Sequence, residues 1–426
     1  METNARHVAL EILIDIFGND AYGNISIDRH LRLPALTERD RGFVTALVYG
    51  VVAKKELLAW YVAPFLKKQP KLWAQALLWL TVYQIVFMDK VPTSAAVDEA
   101  VKLAKAHDGQ SAGNFVNAVM RTLMRSGRLD ELPKDWETRY SMPKVILDKL
   151  VRQFGGKRTG EMLISLDVPA KASVRLVSHR EDVLNELSAL TASEIAPSAL
   201  VAPAGNFAAT DSFKNGWLTL QDETSQLVAP ILMADSNGTE NVLDACAAPG
   251  GKTCHIASFL TSGQVTACDL YAHKLELIEQ NAARLGVADK ITTVKADAMT
   301  FSSAEKFERI LVDAPCSGLG LMRRKPDIKY RKTARDFADL QKNQLQILDT
   351  VSKALTPDGV LVYSTCTLAD EENFDVVAQF LSTHADFEHA PISDVKPDLL
   401  TDGCVFITPE RYHTDGFFIA KFRKIK

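Results

Sequence analysis

The sequence predicts three parts: an all-helical N-terminal domain, a small α+β subdomain, and an α/β domain on a Rossmann-like, mostly parallel sheet. Three observations predict it. Apolar residues recur at helical spacing through residues 1–130, the pattern turns mixed over 140–230, and from 238 to 426 short apolar runs alternate with helical segments. A chain of 426 residues asks for two or three domains, and a 47% hydrophobic content is enough to give each a core.

In the first part, Leu10, Leu13, Ile14 and Phe17 fall at helical spacing, as do Leu77, Leu78 and Trp79 with Val82 and Ile85 on following turns. Turn chemistry separates the helices at Leu33-Pro34, Gln69-Pro70 and Val91-Pro92-Thr93-Ser94, where Thr93 or Ser94 is placed to cap a helix through Lys105. The most apolar stretch, 74–88, is shorter than a membrane span and carries Gln75, Thr81 and Gln84, so it reads as a buried helix. Leu132-Pro133 and Met142-Pro143 mark a hinge. The mixed part holds helices near 144–154 and 157–165 and strands near 172–177 and 217–220. The last part reads as strands at 241–247, 264–270, 291–297, 309–314, 359–364 and 416–422, with helices at 251–259, 273–285 and 334–355.

Net charge is −4, from 49 basic and 53 acidic residues, so a nucleic-acid surface has to be a local patch. The six cysteines form no C-x2-C pair, which argues against zinc, and in a chain this long they read as free thiols and not as a disulfide framework. The opening Met1-Glu2-Thr3-Asn4 lacks the basic and apolar regions of a secretory signal, and a cytoplasmic location is expected.

The run Asp244-Ala245-Cys246-Ala247-Ala248-Pro249-Gly250-Gly251-Lys252-Thr253 stands where a strand turns into a helix, the edge at which open α/β sheets bind ligands. A phosphate-binding loop needs a glycine where Cys246 stands, and G-x-G-x-x-G is absent. Asp269 ends the second strand, placed for paired ribose hydroxyls, and Asp297 the third, placed for an adenine amino group. Together they suit an adenosine ligand without phosphates; the plain alternative is that each acid caps the helix after it.

Asp313-Ala314-Pro315-Cys316-Ser317-Gly318 ends the fourth strand and Ser364-Thr365-Cys366-Thr367 the fifth, so two thiols are expected at one sheet edge. A thiolate that adds to carbon 6 of a cytosine makes carbon 5 nucleophilic, and a second thiol can assist the later release. Cys246, Cys254, Cys268 and Cys404 read as small core residues. Asp313 is a candidate partner for the cytosine amino group or the cofactor. Lys252 is a candidate for the base or its developing charge, or else a solvated lysine at a helix start. Arg323, Arg324, Lys325, Lys329, Arg331, Lys332 and Arg335 stand against Asp327 alone over residues 321–335, which suits a phosphate clamp beside Cys316 or else a solvated face.

On these residues the chain resembles the RNA 5-methylcytosine methyltransferases, and among them the bacterial small-subunit ribosomal RNA branch, the RsmB/Sun/Fmu family. The segment 216–227, with Gln221-Asp222 and Ser225, and the closing strand at 415–424 extend the resemblance. The N-terminal part is similar to the antitermination factor NusB through Arg39-Asp40-Arg41, Tyr49-Gly50, Tyr83-Gln84, 91–101 and Phe115-Val116-Asn117-Ala118-Val119. The resemblance implies S-adenosyl-L-methionine as cofactor, held by Cys246, Ala247, Ala248, Pro249, Gly250, Gly251, Lys252, Asp269, Asp297 and Asp313. It implies Cys366 as nucleophile, Cys316 as the releasing thiol, and a cytosine in a hairpin loop of 16S ribosomal RNA as target. The helical domain and the mixed subdomain would add RNA contacts, Lys54-Lys55 and Lys67-Lys68 being candidates. A monomer without metal or membrane attachment is expected. The alternatives are the same chemistry on transfer RNA and a non-catalytic RNA-binding assembly factor.

Overall fold

The computed structural model describes residues 4–19, 21–32 and 36–425. The Leu33-Pro34 break and the Met1-Glu2-Thr3 start lie outside the described residues. The chain divides into two compact units, Met1–Val151 with Arg324–Arg331, and Arg152–Arg323 with Lys332–Lys426.

The first unit is helical: Ala5–Gly18, Gly23–Leu31, Glu38–Ala53, Lys55–Val62, Leu72–Phe87 and Thr93–Arg125 are its main elements. Leu13, Val48, Leu58, Leu78, Val116 and Met120 close one core. Asn4 and Thr37 cap the first and third helices with side-chain oxygens, Thr37 in a capping box with Asp40. The polar residues of the most apolar helix are satisfied internally: Thr81 Oγ1 donates to the Leu77 carbonyl at 2.7 Å and Gln84 Nε2 to that of Leu80 at 2.9 Å. Among the described residues no helix is long and apolar enough to cross a membrane.

One local expectation needs correction. Neither Thr93 nor Ser94 caps the sixth helix; Pro92 occupies the cap position, with no side-chain hydrogen bond. The helix expected through Lys105 ends at non-helical backbone at Asp108 and Gly109, and a second helical stretch continues beyond the kink to Arg125.

The first unit also takes in residues from far along the chain. In the short helical turn Pro326–Arg331, the buried Asp327 accepts the Gly23 N–H at 3.1 Å and Lys329 Nζ donates to the Ala53 carbonyl at 2.8 Å. The Tyr330 hydroxyl donates to the Ser141 carbonyl at 3.3 Å, and the Arg331 guanidinium donates to the Ala21 carbonyl.

The second unit holds two sheets. The smaller is antiparallel, in the order β2-β3-β1-β4, with β1 Ala172–Leu176, β2 Thr191–Ala192, β3 Ala199–Ala202 and β4 Leu218–Leu220. The larger runs β5 Asn241–Asp244, β6 Gln264–Asp269, β7 Ile291–Lys295, β8 Phe307–Asp313, β9 Leu355–Thr365, β10 Phe387–His389, β11 Leu400–Thr401, β12 Cys404–Ile407 and β13 Phe417–Lys424. Its order is β11-β12-β13-β9-β8-β5-β6-β7, with β10 paired to β13. The five strands from β7 to β9 are parallel, while β13 is antiparallel to β9. The strand order reverses at β5, between β6 and β8, so the loops after β5, β6, β8 and β9 gather at one carboxyl edge. The fold is thus an α/β unit on a mostly parallel sheet with an antiparallel end, preceded in the chain by an α+β subdomain and a helical unit.

Candidate active site

The cofactor loop leaves β5 at Asp244 and enters the helix Gly251–Ala257. Gly250 carries a φ of +97°, and a Cβ there would stand 3.0 Å from Ile278 Cα, so the turn is open only to glycine. Asp244 is 1% exposed. One of its carboxyl oxygens accepts from Thr253 Oγ1 at 2.7 Å and the other has no partner among the described residues. Burial raises its pKa to about 7, against the relief given by Thr253. Asp269, at the end of β6, accepts the Tyr271 N–H at 3.1 Å and stands 3.7 Å from Lys274 Nζ. Asp297 accepts the Met299 N–H at 2.9 Å, two residues past the end of β7. An unpartnered buried carboxyl oxygen, a glycine turn without room for a side chain and acids at successive strand ends fit an adenosine-containing cation such as S-adenosylmethionine.

β8 and β9 pair in parallel with Asp313 opposite Ser364. That register carries Cys316 and Cys366 off adjacent strand ends, and their sulfurs lie 3.3 Å apart. Asp313 accepts from Lys252 Nζ on one carboxylate oxygen and from Ser364 Oγ on the other, both at 2.7 Å. The Lys252 ammonium also sits 5.2 Å from the Phe417 ring centre. Burial alone would lower the Lys252 pKa, but the charge and hydrogen bond of Asp313 outweigh it and raise it, so the lysine is a held cation, not a solvated one. The hydrogen bond with Cys366 and burial together push the Cys316 thiol well above its ordinary range. Burial likewise raises Cys254 to about 11 and Cys268 and Cys404 to about 12, which makes them inert core thiols.

Ser364, the first residue of the Thr-Cys motif, anchors Asp313. Two residues near this edge escaped the sequence reading: Glu372 and Asn373 lie buried directly behind the two cysteine turns. The signal available was the acidic run Asp370-Glu371-Glu372 followed by Asn373, a few residues after Thr365-Cys366, which reads by default as solvated surface.

The basic segment divides. Arg323 spends its guanidinium on the carbonyls of Ser165, Pro409 and Thr414. Lys329 and Arg331 donate to carbonyls of the helical unit, and Arg331 faces Asp327 at 3.7 Å. These three cations therefore staple the chain instead of lining an open clamp. Arg324 is half-buried, while Lys325 and Arg335 stand exposed. Among the described residues no cluster of three or more His, Cys, Asp or Glu side chains is arranged to hold a metal ion.

Comparison with known proteins agrees with this geometry. Residues 230–423 match the model for "16S rRNA methyltransferase RsmB/F", and residues 3–125 that of the NusB family. A probable ribosomal RNA small subunit methyltransferase B from Bacillus subtilis is 36% identical, with 99% of each chain covered. Its counterpart from Synechocystis sp. is 32% identical at the same coverage. The crystal structure of PH0851 superposes with a TM-score of 0.80 over 100% of both chains at 22% identity, a likeness of fold. The end-to-end match in sequence, with the methyltransferase domain and NusB domain in this order, places the chain in the RsmB/F family of methyltransferases.

Proposed function

We propose that this methyltransferase transfers a methyl group from S-adenosylmethionine to carbon 5 of a cytosine in 16S ribosomal RNA. The observation that carries the reading is the pair of sulfurs 3.3 Å apart at the ends of adjacent parallel strands, one loop away from the glycine turn. S-adenosylmethionine, when bound, supplies an electrophilic methyl group. Asp244, Asp269 and Asp297 would hold its amino, ribose and adenine groups, with residues 246–252 as the cradle. The Cys366 thiolate adds to carbon 6 of the base, and the carbon 5–carbon 6 π electrons become nucleophilic at carbon 5. After methylation the carbon-5 proton leaves to a base, the double bond re-forms, and the sulfur–carbon bond breaks to return the thiolate. Cys316 assists that release, while Lys252 and Asp313 face the base and its developing charge. The base has to leave its stack to reach the thiol, which suits a hairpin loop.

The test is methyl transfer to small-subunit ribosomal RNA and to bulk transfer RNA, followed by mapping of the product base. Labelling of 5-methylcytosine in the ribosomal RNA alone is expected; labelling only of transfer RNA would refute the substrate. Cys366→Ala should abolish turnover, and Cys316→Ala should trap a covalent protein–RNA adduct on a denaturing gel.

A further inference from the structure

Behind the thiol pair lies a buried carboxylate that the chemistry above does not use. Glu372 is 0% exposed, as are Gln344 and Asn373. Its Oε2 accepts the backbone N–H of Ser317, the residue after Cys316, at 2.8 Å, and Gln344 Nε2 at 3.0 Å. Gln344 Nε2 also donates to the carbonyl of Pro315, the residue before Cys316, at 3.0 Å. Both peptides flanking Cys316 are thus tied to Glu372 directly or through one side chain. On the other turn, Thr367 follows Cys366; its hydroxyl lies 2.6 Å from Ser317 Oγ and 3.5 Å from Glu372 Oε1. Asn373 accepts from Thr365 Oγ1 at 2.6 Å and donates to the Thr367 carbonyl at 3.1 Å, and the Glu372 carbonyl accepts the Tyr363 hydroxyl at 2.7 Å. Burial raises the Glu372 pKa above its ordinary value, and the hydrogen bonds from Ser317 and Gln344 oppose that rise, the donors an acceptor-only carboxylate requires.

Charge is distributed unevenly about the two sulfurs. The Lys252 ammonium, held by Asp313, interacts with Cys366, whereas the Glu372 carboxylate interacts with Cys316. Asp244, Tyr363 and Cys246 also face this edge, and Lys332 acts on Glu372 from outside. A cation on one side and a buried anion on the other polarise a hydrogen-bonded thiol pair in one direction.

We propose that Glu372 is a positioning residue: it fixes the Cys316 peptide against the Cys366 turn and keeps the pair's shared proton on Cys316, so that Cys366 is the sulfur that ionises. When the pair loses one proton to solvent, the proton left behind sits on Cys316 and bridges to the Cys366 thiolate, which is then free to form the bond to carbon 6. This rests on the two-cysteine reading above and gives a physical reason for its division of roles.

The experiment is pH-dependent alkylation of the full-length protein by iodoacetamide at low conversion, with the peptides carrying Cys316 and Cys366 quantified by mass spectrometry. In the unmodified protein Cys366 should have the lower pH midpoint; the reverse order overturns the proposal without any variant. Glu372→Gln keeps the shape and the acceptor oxygen but removes the charge. The Cys316 midpoint should then fall towards that of Cys366, so that the gap between the two narrows. An unchanged Cys316 midpoint in a Glu372→Gln protein with unaltered melting also overturns it. Glu372→Asp, which retains the charge, should keep the original order, and loss of the order there counts against the electrostatic role. Failure of the parent reading is separate: full turnover by Cys366→Ala would sink the covalent mechanism whatever the alkylation midpoints are.

Discussion

Asp244 carries a stability cost that its burial sets. The unfolded chain gives up this proton near the ordinary value of 3.8, while burial holds it in the folded protein up to about 7. Between those values the folded state binds more protons than the unfolded state, so this group's contribution to stability falls as pH rises through the window and levels off above it. Asp244→Asn removes the titration. The expected result is a smaller difference in Tm between pH 5.5 and pH 8 than in the unmodified protein. At pH 8 the variant should gain roughly 1–3 kcal/mol of stability, with weaker S-adenosylmethionine binding. Equal pH slopes would contradict the burial of this carboxyl group. Gly320 is constrained from a different direction. Its N–H donates to the Cys366 carbonyl and its carbonyl accepts from Gly416, both at 2.9 Å. A Cβ there would fall 2.1 Å from the Gly416 oxygen and 2.8 Å from the Cys366 oxygen. Gly320→Ala should therefore cost more than about 3 kcal/mol in a denaturant titration, by forcing backbone apart at the turn that carries the thiol.

At the scale of elements, the segment after Cys316 separates cations that build from cations that can bind. Lys325 is exposed, and Arg335 is 87% exposed beside Asp339, a surface pair of little energetic weight. If these two meet phosphates, Lys325→Glu and Arg335→Glu should each weaken RNA binding and flatten the log-affinity against log-salt slope by about one, without changing Tm. Lys329→Met should do the opposite. It leaves the Ala53 carbonyl at the end of helix Glu38–Ala53 without its cation, lowering stability by about 1–3 kcal/mol while the salt slope stays the same. The contrast explains what the sequence could and could not express. Period and turn chemistry made β5, β6, β8 and β9 legible, and with them the strand-end placement of Asp244, Asp269, Cys316 and Cys366. β2 and β3 were not legible, because two residues in one and the short Ala199–Ala202 run in the other are too brief to show alternation. Glu372 and Lys329 were hidden for a shared reason: a charged residue reads as surface until tertiary contacts show which acceptor or donor it was buried to meet.

For the whole molecule, the helical unit is not contiguous in sequence. It comprises Met1–Val151 and the eight-residue return Arg324–Arg331, which leaves the catalytic unit shortly after the Pro-Cys turn and rejoins it at Lys332. A reading along the chain assigns such a return to the domain around it. Its contacts inside the helical unit are too specific for a passing loop. Asp327 takes the first helical N–H of Gly23–Leu31, which supplies no side-chain cap of its own. Lys55 lies between the rings of Phe17 and Tyr330, 5.3 Å and 5.1 Å from their centres. Arg331 covers the Tyr22 ring at 4.3 Å. The helical unit is therefore completed by the chain that carries the chemistry, and it should be weaker when made alone. A fragment ending at Val151 should melt several degrees below the helical transition of the full chain, and hydrogen exchange should rise at the Gly23–Leu31 amides and around Ala53. Adding a synthetic peptide spanning residues 322–333 should restore part of both, through the one cap and three carbonyl bonds it returns. If the fragment were as stable as the intact unit and blind to the peptide, the return segment would be a passenger, and the helical domain would be independent of the turn that bears Cys316.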